Sequence, residues 1–311
     1  MAVVGIVGAG LIGRSWSVVF ARAGWDVKLY DVSQAALDAA PGLIAEGLAD
    51  LAAAGLGGDP AAEAKRVTVT GSLAEAVSGV EHVQENSSEN VDVKTALFAE
   101  LDALVPPGAV IASSTSAIVA SRFTADMKTR ERCLVAHPVN PPHLVPIVEL
   151  CGAPWTTPET VARARKTFTA LGQVPITVNR EVEGFVLNRL QGALLSEALR
   201  LAEDGVASPE DIDATIKHGL GLRWSFLGPF ETIELNAPGG VADYCARYAG
   251  FYRRLAAEAP APEVWDEAAV ARVLGDFGLS HDPQGREARR LWRDRRLAAL
   301  MVHKKGQPDA S

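Results

Sequence analysis

The stretch VVGIVGAGLIGRSW, residues 3–16, constrains this chain more than any other feature. An apolar run that reads as a buried strand meets three glycines, Gly8, Gly10 and Gly13, and then a helical run. Each glycine plays a separate part. The first permits a tight turn, the second lets backbone approach a pyrophosphate, and the third packs helix on strand. The helix N-terminus adds oriented N–H groups and a partial positive charge. A second β-type run, DVKLYD, ends in Asp31, the place for a carboxylate that accepts from both ribose hydroxyls of NAD and repels the 2′-phosphate of NADP. A glycine-rich packing turn is the alternative, but strand, turn, helix and acidic strand end in this order favour NAD.

Around this core the first half alternates short β-rich runs (VVGIVG, DVKLYD, RVTVT, HVQEN, AVIASS, CLVAH) with helical stretches. That pattern predicts a Rossmann-type α/β fold, a doubly wound sheet with helices on both faces. An Ala/Leu-rich segment, residues 34–64, is expected as a helical hairpin inserted after the second strand. From Glu181 the β signals stop, and GFVLNRLQGALLSEALRLAEDG reads as a helix buried between neighbours. SPEDID starts another helix, with Ser208 as N-cap and Pro209 at its first position. At 311 residues the chain suits two domains, a dinucleotide domain over 1–180 and an all-helical substrate and dimerisation domain over 181–311. A net charge of −8 argues against a nucleic-acid surface. Cys133, Cys151 and Cys245 are odd in number and widely spaced, as reduced packing residues of a cytoplasmic protein would be. No apolar run is long enough to span a membrane.

HPVNPPHLVPIVELC, residues 137–151, then poses a question of placement. Prolines cannot stay inside a ladder, so the chain must leave one strand and enter another. His137 and Glu149 are thereby expected side by side at one sheet edge. Other polar features belong at the same edge: ASSTSAI, where Ser113 to Ser116 close a strand, and QENSSENVDVK, with Glu85, Glu89 and Lys94. In open α/β sheets ligands lie at that edge. Asn188, in GFVLNRL, needs a partner that a helix interior does not supply, so it is either satisfied by a neighbouring segment or turned toward a site.

In order and spacing these motifs resemble the 3-hydroxyacyl-CoA dehydrogenase superfamily over essentially the whole chain. GRSW, VKLYD, AHPVNPP, GFVLNRLQ and the late RxxWRD resemble in particular its lambda-crystallin branch, which acts on L-gulonate. The resemblance implies that His137 is the catalytic base, Glu149 its carboxylate partner, and Ser116 and Asn188 polar groups around the reacting oxygen. It places Leu11, Ile12, Asp31, Glu89 and Lys94 along the dinucleotide, and it implies a homodimer. The chemistry agrees: oxidation of a secondary alcohol needs a hydride acceptor and a base, and histidine titrates near neutral pH. The other histidines, His82, His143, His218, His281 and His303, lack this setting and are expected as structural or surface residues.

Other readings compete. Ser116, His137 and Glu149 spell a hydrolase triad, but no G-x-S-x-G elbow surrounds any serine. His137, His143 and Glu149 could be drawn as a metal site, which hydride transfer does not require. A structural or NAD-sensing protein would keep the glycine turn without needing His137 opposite Glu149. On substrate, the resemblance implies that acyl-CoA enzymes carry basic residues on the insertion. Here residues 34–64 hold no Lys or Arg and instead Asp38, Glu46, Asp50, Asp59 and Glu63, the wrong field for a CoA headgroup. Arg223, beside Trp224, offers a planar fork for a carboxylate, or makes an ordinary surface ion pair. A small 3-hydroxy acid is thus expected as substrate, with L-gulonate leading and carnitine and 3-hydroxybutyryl-CoA as alternatives.

Overall fold

A computed structural model of the chain describes residues 2–276 and 282–307, so His281 and the last four residues of the polar tail lie outside the described residues. The elements of the first half are β1 (Val3–Val7), α1 (Leu11–Arg22), β2 (Asp26–Tyr30), α2 (Gln34–Ala53), α3 (Pro60–Ala64), β3 (Val67–Thr70), α4 (Leu73–Val77), β4 (His82–Glu85), α5 (Val91–Leu104) and β5 (Val110–Ser113). They continue with α6 (Ser121–Thr124), β6 (Cys133–Pro138), β7 (Ile147–Gly152), α7 (Pro158–Ala170) and β8 (Val174–Val178). The strands form one sheet in the order β3-β2-β1-β4-β5-β6-β7-β8. β1 to β6 pair in parallel, β7 runs antiparallel to β6, and β8 is parallel to β7. This is the expected Rossmann-type doubly wound sheet, with an antiparallel step where the proline loop returns the chain.

Both sheet faces are covered. On one, Val4 and Ile6 of β1 pack with Trp16 and Phe20 of α1, Ile44 and Leu48 of α2, and Phe168 of α7. On the other, Val83 and Ile111 pack with Val77 of α4, Phe98 and Leu101 of α5, and Phe123 of α6. The helix starts obey local chemistry: the Ser33, Ser72, Asn90 and Thr157 side chains accept from the N–H three residues on. The insertion is less symmetric than a hairpin, a 20-residue α2 followed by a five-residue α3. A strand absent from the sequence reading forms at VPITV, where Pro175 lacks a ladder N–H; β8 tolerates it by pairing on one side only, at the sheet edge.

Beyond the sheet the described residues are helical: α8 (Leu187–Glu203), α9 (Pro209–Thr215), a π-turn over Ile216–Leu220, α10 (Gly221–Trp224), α11 (Pro229–Glu234), α12 (Gly240–Ala257), α13 (Glu267–Asp276) and α14 (Pro283–Lys305). Ser208 caps α9 through Asp211 N–H, as expected. The chain divides into two compact units, Met1–Asn188 with Glu287–Ser311, and Arg189–Arg286. This differs from the expected 1–180 and 181–311. The reason is α14: its Ala298 is buried in the first unit's core, with Leu297 and Met301 packed against that core. A second difference concerns α8, which has no buried residue in the single chain; Leu190 is 64% exposed.

Candidate active site

His137 and Glu149 are opposite one another in the β6–β7 ladder. Alternation along each strand decides where they point: Cys133, Val135 and Cys151 share one face, so His137 and Glu149 fall on it too. Both are buried, and His137 Nδ1 lies 2.8 Å from Glu149 Oε2. The other carboxylate oxygen, Oε1, accepts from the backbone N–H of Val186 at 2.9 Å and of Leu187 at 3.0 Å, at the N-terminus of α8. Burial alone would raise the Glu149 pKa, but the hydrogen bonds from His137, Leu187 and Val186 outweigh it and hold the carboxyl below its ordinary value. Glu149 is therefore an acceptor at neutral pH, so His137 carries its proton on Nδ1 and leaves the Nε2 lone pair available.

The chain approaching α8 is shaped to make this possible. Gly184 and Phe185 both adopt positive φ, +75° and +49°. A non-glycine residue there costs on the order of 1–3 kcal/mol. The turn brings two N–H groups to Glu149 and seats the buried Phe185 ring 5.6 Å from the His137 ring.

At the neighbouring strand ends, Glu89 gathers the serine loop. Its Oε1 accepts from Thr115 Oγ1 at 2.5 Å and from the N–H groups of Ser116 and Ala117, each at 3.0 Å. Ser116 stays exposed, and its carbonyl accepts from Asn188 Nδ2 at 2.7 Å. Asn188 thus finds its partner in a neighbouring segment, the one that carries Ser116. Lys94 lies elsewhere than along an open groove: its ammonium is buried, 2.9 and 3.0 Å from the two oxygens of the buried Glu85, whose carboxylate also accepts from Ser113 Oγ. Removing either charge would strand the other in the core.

The glycine turn meets the requirements of a dinucleotide site. Gly8 has φ +99°, and a Cβ there would sit 2.7 Å from the Asn86 carbonyl; a Cβ on Gly13 would sit 1.8 Å from the Gly8 carbonyl. At Gly10 a Cβ would meet nothing within 4 Å, which leaves the backbone open to approach. Gly10 is the N-cap of α1, with no side-chain cap and no acid in the first turn, so the amides that begin at Leu11 and Ile12 suit an anion. Asp31 is fixed beside them: Oδ2 accepts from Ala9 N–H at 2.7 Å and Oδ1 from Ser33 N–H at 2.8 Å.

Arg223 lies in the second unit, exposed on α10. His82 is buried in the core, and burial pushes the pKa of both His82 and His143 down to about 4. His218 and His303 are exposed. The sequence reading missed the amides of Val186 and Leu187, which carry no residue signature, and the role of Glu85 as partner of Lys94.

The model of the 3-hydroxyacyl-CoA dehydrogenase NAD-binding domain matches residues 3–182, and that of the family's C-terminal domain matches residues 184–276. Among named relatives, a lambda-crystallin homolog of Mus musculus is 43% identical over 305 residues, covering 96% of this chain and 95% of the relative. An L-carnitine dehydrogenase of Pseudomonas putida is 35% identical over 296 residues, covering 95% and 91%. Among solved structures, a 5-formyl-3-hydroxy-2-methylpyridine 4-carboxylic acid 5-dehydrogenase, an NAD+ dependent dismutase, superposes with a TM-score of 0.85 at 29% identity, over 99% of this chain and 100% of that one.

Proposed function

The chain belongs to the 3-hydroxyacyl-CoA dehydrogenase family and is an NAD-dependent dehydrogenase acting on a hydroxyl group, and we propose that it oxidises a small free 3-hydroxy acid, L-gulonate in first place, with His137 as base. The observation that carries this reading is the buried His137–Glu149 pair, with Glu149 held by two α8 amides. NAD, when bound at Gly8, Gly10, Leu11, Ile12, Gly13 and Asp31, supplies the hydride acceptor. His137 Nε2 takes the hydroxyl proton as the C–H hydride departs, and Glu149 stabilises the imidazolium that forms. Ser116, held by Glu89, and Asn188, braced on the Ser116 carbonyl, position the substrate oxygen.

The substrate class rests on charge. The insertion carries no cation, and its Glu46 and Asp50 line a cavity of about 630 Å³ between α1, α2 and α14. The cations of that cavity, Arg14, Arg290 and Arg295, come from α1 and α14, and Arg290 is paired with Glu287 and Asp294. A CoA tail laid on α2 meets like charge there. Carnitine and the pyridinecarboxylic acid named for two of the relatives are free acids as well. An assay comparing L-gulonate, L-3-hydroxybutyrate, L-carnitine and 3-hydroxybutyryl-CoA with NAD is expected to give a free acid the highest kcat/KM; the thioester in first place would overturn the free-acid reading. Arg223→Ala is expected to raise KM for that acid, and an unchanged KM removes Arg223 from the site.

Two further outcomes are expected. Asp31→Ala should relax the preference for NAD over NADP, since no basic residue follows Asp31 before Lys65; wild-type enzyme that uses NADP with equal kcat/KM contradicts the role. A homodimer held by the helical half would cover the exposed Leu190, Leu222, Phe226, Phe230 and Leu235 of the second unit. Light scattering at micromolar concentration should report twice the chain mass of 32.8 kDa, and a monodisperse monomer contradicts it. No helix among the described residues is long and apolar enough to cross a membrane.

A further inference from the structure

Beneath the strand ends runs a chain of side-chain hydrogen bonds that the proposed reaction does not use. His82 and Gln84 are fully buried side chains of β4, with His82 Nε2 3.1 Å from Gln84 Oε1. An amide oxygen only accepts, so His82 donates from Nε2. Gln84 Nε2 donates to Ser114 Oγ at 2.7 Å and, more weakly, to the Ala136 carbonyl at 3.4 Å. Trp16 Nε1 donates to the same Ser114 oxygen at 3.0 Å. Both acceptor positions of the hydroxyl are then taken, and its one proton goes to Asn86 Oδ1 at 2.7 Å. Asn86 Nδ2 donates in turn to the carbonyls of Gln84 at 2.8 Å and Val7 at 3.2 Å. The bonds are consistent in direction from His82 to Val7, with Ser114 joining Gln84, Trp16 and Asn86, and with Gln84 branching directly to the Ala136 carbonyl.

Four points of this network lie next to functional segments or within one. Val7 precedes Gly8, which packs on the Asn86 carbonyl so tightly that it has no room for a Cβ. Ser114 precedes Thr115 and Ser116. Ala136 precedes His137. Trp16 belongs to α1, whose first turn faces the dinucleotide. Shared buried polar networks fix relative positions because any displacement leaves several groups unpaired at once.

We infer that Ser114, with Asn86 and Trp16, is a positioning group that keeps the cofactor turn in register with the Ser116 loop and the His137 strand. Cofactor affinity then depends on a hydroxyl that lies outside the glycine turn and Asp31. The inference rests on the NAD-dependent dehydrogenase assignment and not on the identity of the substrate, so its test is read on NAD alone. In the full-length protein, Ser114→Ala and Asn86→Ala are each expected to raise the NAD Kd by about fivefold to tenfold, measured by titration calorimetry. The double variant is expected to be no weaker than the worse single one, because either change already breaks the shared bond. Trp16→Phe keeps the ring in the core and loses only the N–H, and should weaken NAD by a smaller factor, about twofold to fourfold; it serves where Ser114→Ala fails to fold. A role in folding alone predicts a lower Tm with NAD Kd unchanged. That result, or effects of Ser114→Ala and Asn86→Ala that simply multiply, overturns the inference.

Discussion

His137→Asn is expected to lower kcat by on the order of 10² to 10⁴-fold while NAD binds within about twofold of wild type. The two effects separate because the residues separate. His137 is the penultimate residue of β6, whereas the glycine turn joins β1 to α1 and Asp31 follows β2, and no hydrogen bond among those described joins His137 to that turn. Asparagine is the informative replacement. Its carboxamide N–H₂ can still donate to Glu149 Oε2, so the buried carboxylate keeps a partner and the fold is not asked to bury an unpaired charge. What asparagine cannot do is accept the proton. Loss of rate with intact cofactor binding therefore reports the missing base, and a variant with near wild-type kcat would remove His137 from that role. Loss of NAD binding together with rate would mean that the strand end itself had moved.

The parts of this molecule that were legible in the sequence are those where one residue does one local job. Gly8 and Gly13 announce their turn because no side chain fits there, and the structure gives the clashing atoms, the Asn86 and Gly8 carbonyls. The adjacency of His137 and Glu149 was legible because four prolines force the chain out of one strand and into its neighbour. Partners supplied by tertiary placement were not legible. Lys94 lies on a helix with Asp92 in its first turn and is expected from the sequence along the dinucleotide, yet it is buried because Glu85 and Ser113 wait beneath it. The amides of Val186 and Leu187 are indistinguishable in sequence from any others, and only the positive φ of Gly184 and Phe185 aims them at Glu149. Helix α14 is rich in arginine like a surface helix, and nothing in its sequence marks Leu297, Ala298 and Met301 as the apolar residues that pack into the first unit's core.

Glu149→Gln is expected to cost nearly as much rate as removing His137, although it changes one oxygen for an N–H₂ of the same size. The two amides from α8 decide which way the new carboxamide points. Its oxygen must face Val186 and Leu187 N–H, since turning it over would set N–H₂ against two donors in a buried site. The N–H₂ is therefore left facing His137 Nδ1, where the carboxylate oxygen stood at 2.8 Å. It donates to Nδ1, the ring proton moves to Nε2, and the lone pair that should take the substrate proton is gone. Carboxylate-to-amide changes of this kind behind a catalytic histidine cost up to about 10⁴-fold in kcat. Measured together, kcat should fall by about 10³-fold or more while NAD Kd stays near wild type. Stability offers an independent check with a definite sign. The Glu149 carboxyl is held below its ordinary pKa of 4.5 in the folded protein, so its contribution is complete above that value and is lost as pH falls through the depressed one. Wild type should therefore lose stability relative to Glu149→Gln on acidification below about pH 4.5, as followed by thermal unfolding. If kcat of Glu149→Gln stays within tenfold of wild type, the tautomer argument fails, and Glu149 is reduced to a strut between β7 and α8.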